Sequence, residues 1–343
     1  MAAKNTPLNP ALLAEFHEKL NAWYGRHGRR SLPWRNTADP YAIYVSEIML
    51  QQTQVATVLE RFYLPFLARF PTLQALAAAD QEEVLKSWQG LGYYNRAVNL
   101  HRTAKLISAL PRRVEDLMAL PGIGRNTAHA IAAFAHRAPV PVMEANVKRV
   151  LHRIFGAARL NEKALWDKAR VLLNRNEAFD HNQAMMDLGA LICTHRAPAC
   201  RRCPAQTICA GKKEPECYPQ AKQAKKTPVR RRNIYILRDQ MGKIHAEPRK
   251  SRFLHGMYRF IEIEPSSRST LETSARIVKL GHVTQVYSHF TLEAEVYLAE
   301  VASAMQGSGW FAPAEFRRLP HSKAEEKILA LLEKFLDWPP AQP

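Results

Sequence analysis

No uninterrupted apolar run of membrane-spanning length occurs in the 343 residues, and the opening MAAKNTPLNP lacks the hydrophobic stretch of a secretory signal. A membrane-embedded or exported chain is therefore not expected, and the sequence reads as that of a cytoplasmic protein. Cysteine is scarce: there are five, and four of them fall between positions 193 and 209. Such crowding in a long chain argues against a disulfide scaffold and for a metal site in a reducing compartment. Acidic residues are outnumbered, 31 against 49 Lys and Arg, leaving a formal charge of +18. An excess that large asks for a polyanionic partner and favours nucleic acid over an anionic membrane. What the chain has in quantity is apolar side chains, 47% of the total, enough for a core in each of about two domains.

The chain is organised around residues 120–150, LPGIGRNTAHAIAAFAHRAPVPVMEANVKRV. Gly122 and Gly124 at this spacing predict a tight turn through positive φ that presents bare N–H groups to an anion, with Ile123 plugged into the core and Arg125 and Thr127 beside the anion. Residues 128–135 read as a buried helix closing near His136. Pro139 and Pro141 then force an extended segment that delivers Glu144 and Asn146 to the start of a basic helix from about Val147. Alone, that pair reads as a helix cap.

Upstream, Asn9 and Pro10 predict a helix start, with Leu12, Leu13, Phe16, Leu20, Trp23 and Tyr24 at helical spacing and Gly25 as its stop. Leu32, Pro33 and Trp34 form a loop anchor in an arginine-rich segment. Asp39 and Pro40 open a second helix in which Ile43, Tyr44, Val45, Ile48, Met49 and Leu50 surround Glu47 with apolar side chains. A carboxyl so placed has its pKa raised and holds a proton it can give away. Residues 55–70 and 81–88 read as two amphipathic helices, and 147–191 stays helical up to the spacing C-x6-C-x2-C-x5-C through Cys193, Cys200, Cys203 and Cys209. Four thiolates suit either a zinc ion or an iron–sulfur cluster. From Ala210 the composition turns to a basic linker. Beyond it, period-two patterns at 234–237, 259–264 and 283–298 predict strands, and helical signals at 271–278 and from the Ser322 to Glu325 capping box through Phe335 complete a small α+β domain.

LPGIGR, the cysteine spacing and the Glu47 helix together resemble the MutY-type adenine DNA glycosylases, in the helix-hairpin-helix superfamily that includes endonuclease III. The resemblance runs from about Pro10 to Cys209 and then weakly to the C-terminus. It implies a mainly α helix-hairpin-helix glycosylase domain over 1–211 with an iron–sulfur loop at 193–209, a linker over 212–232, and a small α+β Nudix-like domain over 233–343. It also implies the reaction, release of adenine from A:8-oxoguanine or A:G mispairs in double-stranded DNA, by a monomer. The lyase branch carries its Schiff-base lysine where this chain has Asn126, so the resemblance implies a monofunctional enzyme.

Carried onto this sequence, the resemblance makes Glu47 the general acid, Glu144 the anionic stabiliser or nucleophile and Asn146 its orienter. Arg30, Leu32 and Trp34 line the base pocket. Gln52 enters the base stack with Gln51 beside it, Tyr93 is a wedge beside the partner base, and Gly122, Gly124, Arg125 and Thr127 meet the DNA backbone. By the same resemblance the four cysteines are expected to hold a 4Fe–4S cluster. Tyr287, Ser288 and His289 read 8-oxoguanine in a domain that lacks the REx2E pattern of catalytic Nudix helices and is therefore a binding domain. The departure lies at the carboxylate, where the family's Asp-Gly-Asn is Glu144-Ala145-Asn146. An endonuclease III-like pyrimidine glycosylase and lyase, or a lesion-binding protein with weakened catalysis, are the alternatives.

Overall fold

Asn9 Oδ1 accepts from the Ala11 N–H at 2.9 Å, and the first helix, α1, runs Pro10–His27. Gly25 does not end it. The chain leaves the helix at Gly28, whose N–H reaches Tyr24 O at 2.8 Å; a Cβ there would lie 2.3 Å from the Tyr24 ring, so close approach selects the later glycine. The computed structural model describes residues 9–220, 227–251, 253–265, 276–287, 289–301 and 309–336. Among them, no helix is long and apolar enough to cross a membrane.

Asp39 accepts from the Tyr41 N–H at 2.9 Å and opens α2, Pro40–Met49. The single helix expected over 55–70 is two, α3 Val55–Arg61 and α4 Tyr63–Arg69. Pro65 has no N–H to give to Arg61 O, so the ladder must restart, and it does so after Phe62 (φ −124°). Then come α5 Leu73–Ala78, α6 Gln81–Ser87, α7 Asn95–Leu106, α8 Val114–Met118, α9 Arg125–Ala135, α10 Ala145–Ile154, α11 Glu162–Leu172 and α12 Ala178–Asp187. A wider turn, Leu188–Ile192, continues α12 into the cysteine loop.

The chain divides into two units, Met1–Gln74 with Arg102–Gln223, and Ala75–His101 with Ala224–Pro343. In the first, Phe16, Leu20, Trp23 and Tyr24 of α1 pack with Val150, Leu151 and Ile154 of α10, Trp166 of α11 and Met185 of α12. Each fully buried Phe, Leu, Ile, Val or Met among them contributes about 1.5–3 kcal/mol. A second cluster joins Ile43 of α2 to Ala130, Ala133 and Phe134 of α9. These two clusters hold the ends of α2, α9, α10 and α12 around one cavity.

The second unit contains β1 Val229–Arg238, β2 Ile244–His245, β3 Glu247–Pro248, β4 Tyr258–Arg259, β5 Ile261–Ile263, β6 Arg276–Val286, β7 Thr291–Glu300, β8 Trp310–Phe311, α13 Pro313–Phe316 and α14 Lys323–Phe335. The main sheet is mixed, ordered β6-β7-β1-β2-β8 with β5 also on β1; β1 and β7 run parallel. Ile234 and Ile236 face α14 while Tyr235 and Leu237 face the opposite side, the alternation read in the sequence. Ser322 caps α14 as expected. Two expectations change. The linker stretch 212–232 ends inside β1, where Arg230 pairs with Leu292, and the helix expected over 271–278 closes on strand residues. Ile277 and Val278 lie opposite Ala299 and Leu298, where β-branched side chains favour the ladder; 271–275 lie outside the described residues.

Candidate active site

In the first unit a cavity of about 630 Å³, of a size that suits a small ligand, opens between α2, α9, α10 and α12. Glu47 reaches it from the end of α2, whose Ile43, Tyr44, Val45, Ile48 and Met49 are all buried. Burial pushes the Glu47 carboxyl up to about 8; the negative charge of Glu144 adds to the rise and Arg35 opposes it. At neutral pH the group holds a proton.

Glu144 enters the same cavity as the residue preceding α10. Burial raises its pKa as well, and the charge of Asp187 adds to the rise; Asn146, whose Nδ2 donates to Oε1 at 3.3 Å, Arg29 and Arg35 oppose it without cancelling it. Ala145 is the first residue of α10, in helical backbone that alanine adopts freely, so glycine is not required there. Asn146 is held in turn. Arg149 Nη2 donates to Asn146 Oδ1 at 2.9 Å and to Gly189 O at 2.6 Å, and its Nε to Cys193 O at 2.8 Å. A Cβ on Gly189 would lie 2.7 Å from the Asn146 Cβ, which makes glycine necessary for this approach.

Three residues that carry no motif in the sequence support the wall. The Asp187 side chain is fully buried and accepts from the Arg29 N–H at 2.7 Å, from Arg29 Nε at 2.7 Å, and from Arg35 Nη1 and Nη2 at 2.7 and 3.0 Å. Burial pushes its carboxyl up, and the bonds and charges of Arg35 and Arg29 outweigh that and bring it below the usual range. An acid in the last turn of a helix opposes the helix dipole, and that position was the available signal. Arg29 and Arg35 line the cavity with Leu32 and Trp34, whereas Arg30 is exposed and outside its lining. Trp34 stands edge-on to Tyr63 at 5.2 Å.

The hairpin delivers the opposite wall. Gly122 takes φ 73°, but Gly124 sits at φ −83° in ordinary backbone, so only the first glycine supplies the left-handed turn. Ile123 is buried, as expected. Thr127 Oγ1 accepts from Gln51 Nε2 at 2.9 Å, tying the segment after α2 to α9. Gln52 is exposed at the cavity edge with φ 58°, a conformation that persists in a non-glycine residue only where its surroundings enforce it. Arg125 lies over the Trp166 ring at 4.3 Å, and exposed Asn126 lines the cavity.

Cys193, Cys200, Cys203 and Cys209 line one small cavity, and Cys217 lies apart and exposed. Buried Arg153 donates to Cys193 Sγ at 3.3 Å and to Thr194 O at 2.7 Å. His195, Arg196, Arg201 and Arg202 are exposed on the loop. Among the described residues, no three His, Cys, Asp or Glu side chains gather as for a single ion.

Residues 45–174, which hold Glu47, the hairpin and Glu144, match the HhH-GPD superfamily of base excision DNA repair proteins. The adenine DNA glycosylase of Mus musculus is 31% identical over 93% of this chain and 78% of its own length. The chain belongs to the adenine DNA glycosylase family. The family member from Buchnera aphidicola subsp. Schizaphis graminum is 38% identical over 61% of this chain; that match spans 64% of the Buchnera protein, just under two thirds. A solved structure of a thermostable thymine-DNA glycosylase aligns with a TM-score of 0.56 and 29% identity, over 60% of this chain and 98% of that one.

The remaining residues that the family resemblance singles out lie in the second unit. Tyr93 is 44% exposed with φ 51°. The Tyr287 hydroxyl lies 3.2 Å from Ser322 Oγ, and exposed His289 stands edge-on to Phe253 at 5.0 Å. Phe253 also meets Tyr287 and Phe290, and Arg230 lies over the Phe290 ring at 4.3 Å; neither Phe253 nor Arg230 stands out in the sequence. Ser288 lies outside the described residues.

Proposed function

We propose that the chain is a monofunctional glycosylase that hydrolyses the N-glycosidic bond of adenine mispaired with 8-oxoguanine or guanine in double-stranded DNA, acting as a monomer. One observation carries the reading: Glu47, whose carboxyl burial pushes up to about 8, shares a cavity with Glu144, beside which Asn146, Arg29 and Arg35 offset part of the rise that burial causes. Glu47 gives its proton to a ring nitrogen of the flipped adenine, and the C1′–N9 electrons leave with the base. Glu144, oriented by Asn146, faces the positive charge that builds at the sugar. Water then adds at C1′ and releases a proton, leaving an abasic sugar. Leu32 and Trp34 form the base pocket, Gln52, with Gln51 beside it, and Tyr93 open the duplex, and Gly122, Gly124, Arg125 and Thr127 hold the backbone. Single-turnover cleavage of a duplex with one A:8-oxoguanine pair tests this. Release of a pyrimidine, strand scission by a lyase step, or tight binding with no release would each overturn it.

We read the unit that holds Glu47, the hairpin and Glu144 as the glycosylase domain, and the sheet from β1 at Val229 with α14 as a Nudix-like domain for the lesion. Cys193, Cys200, Cys203 and Cys209, which line one small cavity, would hold a 4Fe–4S cluster, which would cross-link the basic loop. Purified protein should be brown with broad absorbance in the blue, and Cys203→Ser should lose iron and DNA affinity together. Stoichiometric zinc without iron would make the site a zinc site.

His289 is the candidate reader of the oxidised base. His289→Ala should reduce the preference for 8-oxoguanine over guanine opposite adenine by about tenfold, the worth of one good hydrogen bond, with little change in release from saturated complex. Equal loss on both substrates would give His289 a purely structural role.

A further inference from the structure

We propose that Arg96 is the positioning residue for Tyr93, setting the angle at which that ring is presented to the duplex; the inference rests on the wedge reading of Tyr93. Gly92 and Tyr93 take consecutive left-handed backbones, φ 79° and 51°. For an aromatic residue this conformation is unfavourable and lasts only where neighbours impose it. They do so through one carbonyl: Gly92 O accepts from Arg96 Nη2 at 3.0 Å and from Trp88 Nε1 at 3.1 Å.

The same guanidinium lies 5.2 Å from the centre of the Tyr93 ring and 5.5 Å from that of Trp88. The main chain closes the turn, with the Arg96 N–H on Tyr93 O at 2.9 Å. Arg96 is 8% exposed and Tyr93 44%, so a buried base carries an outward ring. Burial pushes the guanidinium down to about 10, which leaves it charged at neutral pH. Arginine suits this post because its planar fork donates at the edge while its face stacks; an ammonium supplies the charge without the plane. A ring inserted between bases is pushed back by the stack it displaces. On an unrestrained turn it would rotate away; with Gly92 O held by Arg96 and Trp88 and the guanidinium beside the ring, it holds.

The test uses a duplex with 2-aminopurine beside the 8-oxoguanine, whose fluorescence rise on binding reports unstacking. Arg96→Gln should lower the unstacked population about tenfold, because it removes a charged hydrogen bond and a cation–π interaction at once, and Arg96→Lys should recover part of it. In a Tyr93→Ala background, Arg96→Gln should leave the single-turnover rate of adenine release unchanged, since there is no ring to position. A folded Arg96→Gln protein with the full fluorescence rise, or equal losses of rate in both backgrounds, would overturn the assignment. If Arg96→Gln is too unstable to purify, Arg96→Lys takes its place, with a partial rise expected alone and no effect on rate with Tyr93→Ala. If Tyr93→Ala itself keeps the full rise, the wedge reading fails and takes this inference with it; if Tyr93→Ala loses the rise while the Arg96 variants keep it, only the role of Arg96 fails.

Discussion

A Glu47→Gln protein is expected to bind mispaired DNA nearly as the parent does and to release no measurable adenine in single-turnover reactions. The amide keeps the shape of the side chain and loses the acidic proton, and adenine without that proton is a poor leaving group. The pH profile supplies an independent check. With the carboxyl pushed up to about 8, the acid form persists through neutrality, so the parent's rate should hold to near pH 8 and fall above it, one proton per turnover-competent site. Substrate binding that buries the carboxyl further would move the fall upward, not downward. A rate that rises from pH 7 to 9 would contradict the acid role.

Stability gives the same residue a second signature. The folded-state pKa of Glu47 is above its unfolded value of 4.5, so the folded state binds a proton that the unfolded state releases. That stability is fully present below pH 4.5 and is lost as pH rises through about 8, each unit of displacement being worth about 1.4 kcal/mol. Glu47→Gln cannot ionise and should therefore melt higher than the parent at pH 9 and close to it at pH 5. The parent's loss at high pH is the cost of holding an acid in an apolar wall.

Helix starts were legible in the sequence wherever a cap and a proline stood together, at Asn9-Pro10 and Asp39-Pro40, because both act within one turn. Glu47 was legible for a related reason: its apolar neighbours sit on its own helix. What escaped depends on long-range approach. Asp187 meets Arg29 and Arg35 across more than 150 residues, and Gly189 is glycine because Asn146 approaches from another helix. Where local signals conflicted, tertiary pairing decided: 276–278 joined a ladder against β7 in place of a helix. Gly124 shows the limit of motif spacing, since only Gly122 of the pair needs positive φ.

Replacing Glu144 by Asp should retain activity or raise it, while Glu144→Gln should lose about 10²- to 10³-fold, the range for removing one group that stabilises transition-state charge. The difference rests on charge and reach. Burial and the charge of Asp187 push the Glu144 carboxyl up, while Asn146, Arg29 and Arg35 oppose that rise and favour the anion, which an amide forfeits. Aspartate keeps the anion on a stem one methylene shorter. The backbone at Glu144 is extended, with φ −105° and ψ 177°, and Ala145 already lies in the helix, so the substitution needs no change of main chain. The Asn146 bond to Glu144 Oε1 is long at 3.3 Å, leaving room for the carboxylate to settle closer to the start of α10, where aspartate is favoured. Single-turnover rates at saturating enzyme measure the step directly. A gain of several orders of magnitude for Glu144→Asp would identify the parent as a lesion binder with weakened catalysis. A comparable loss would show that Arg29, Arg35 and Asn146 are placed for the longer side chain, and that Glu144 does its work from a position aspartate cannot reach.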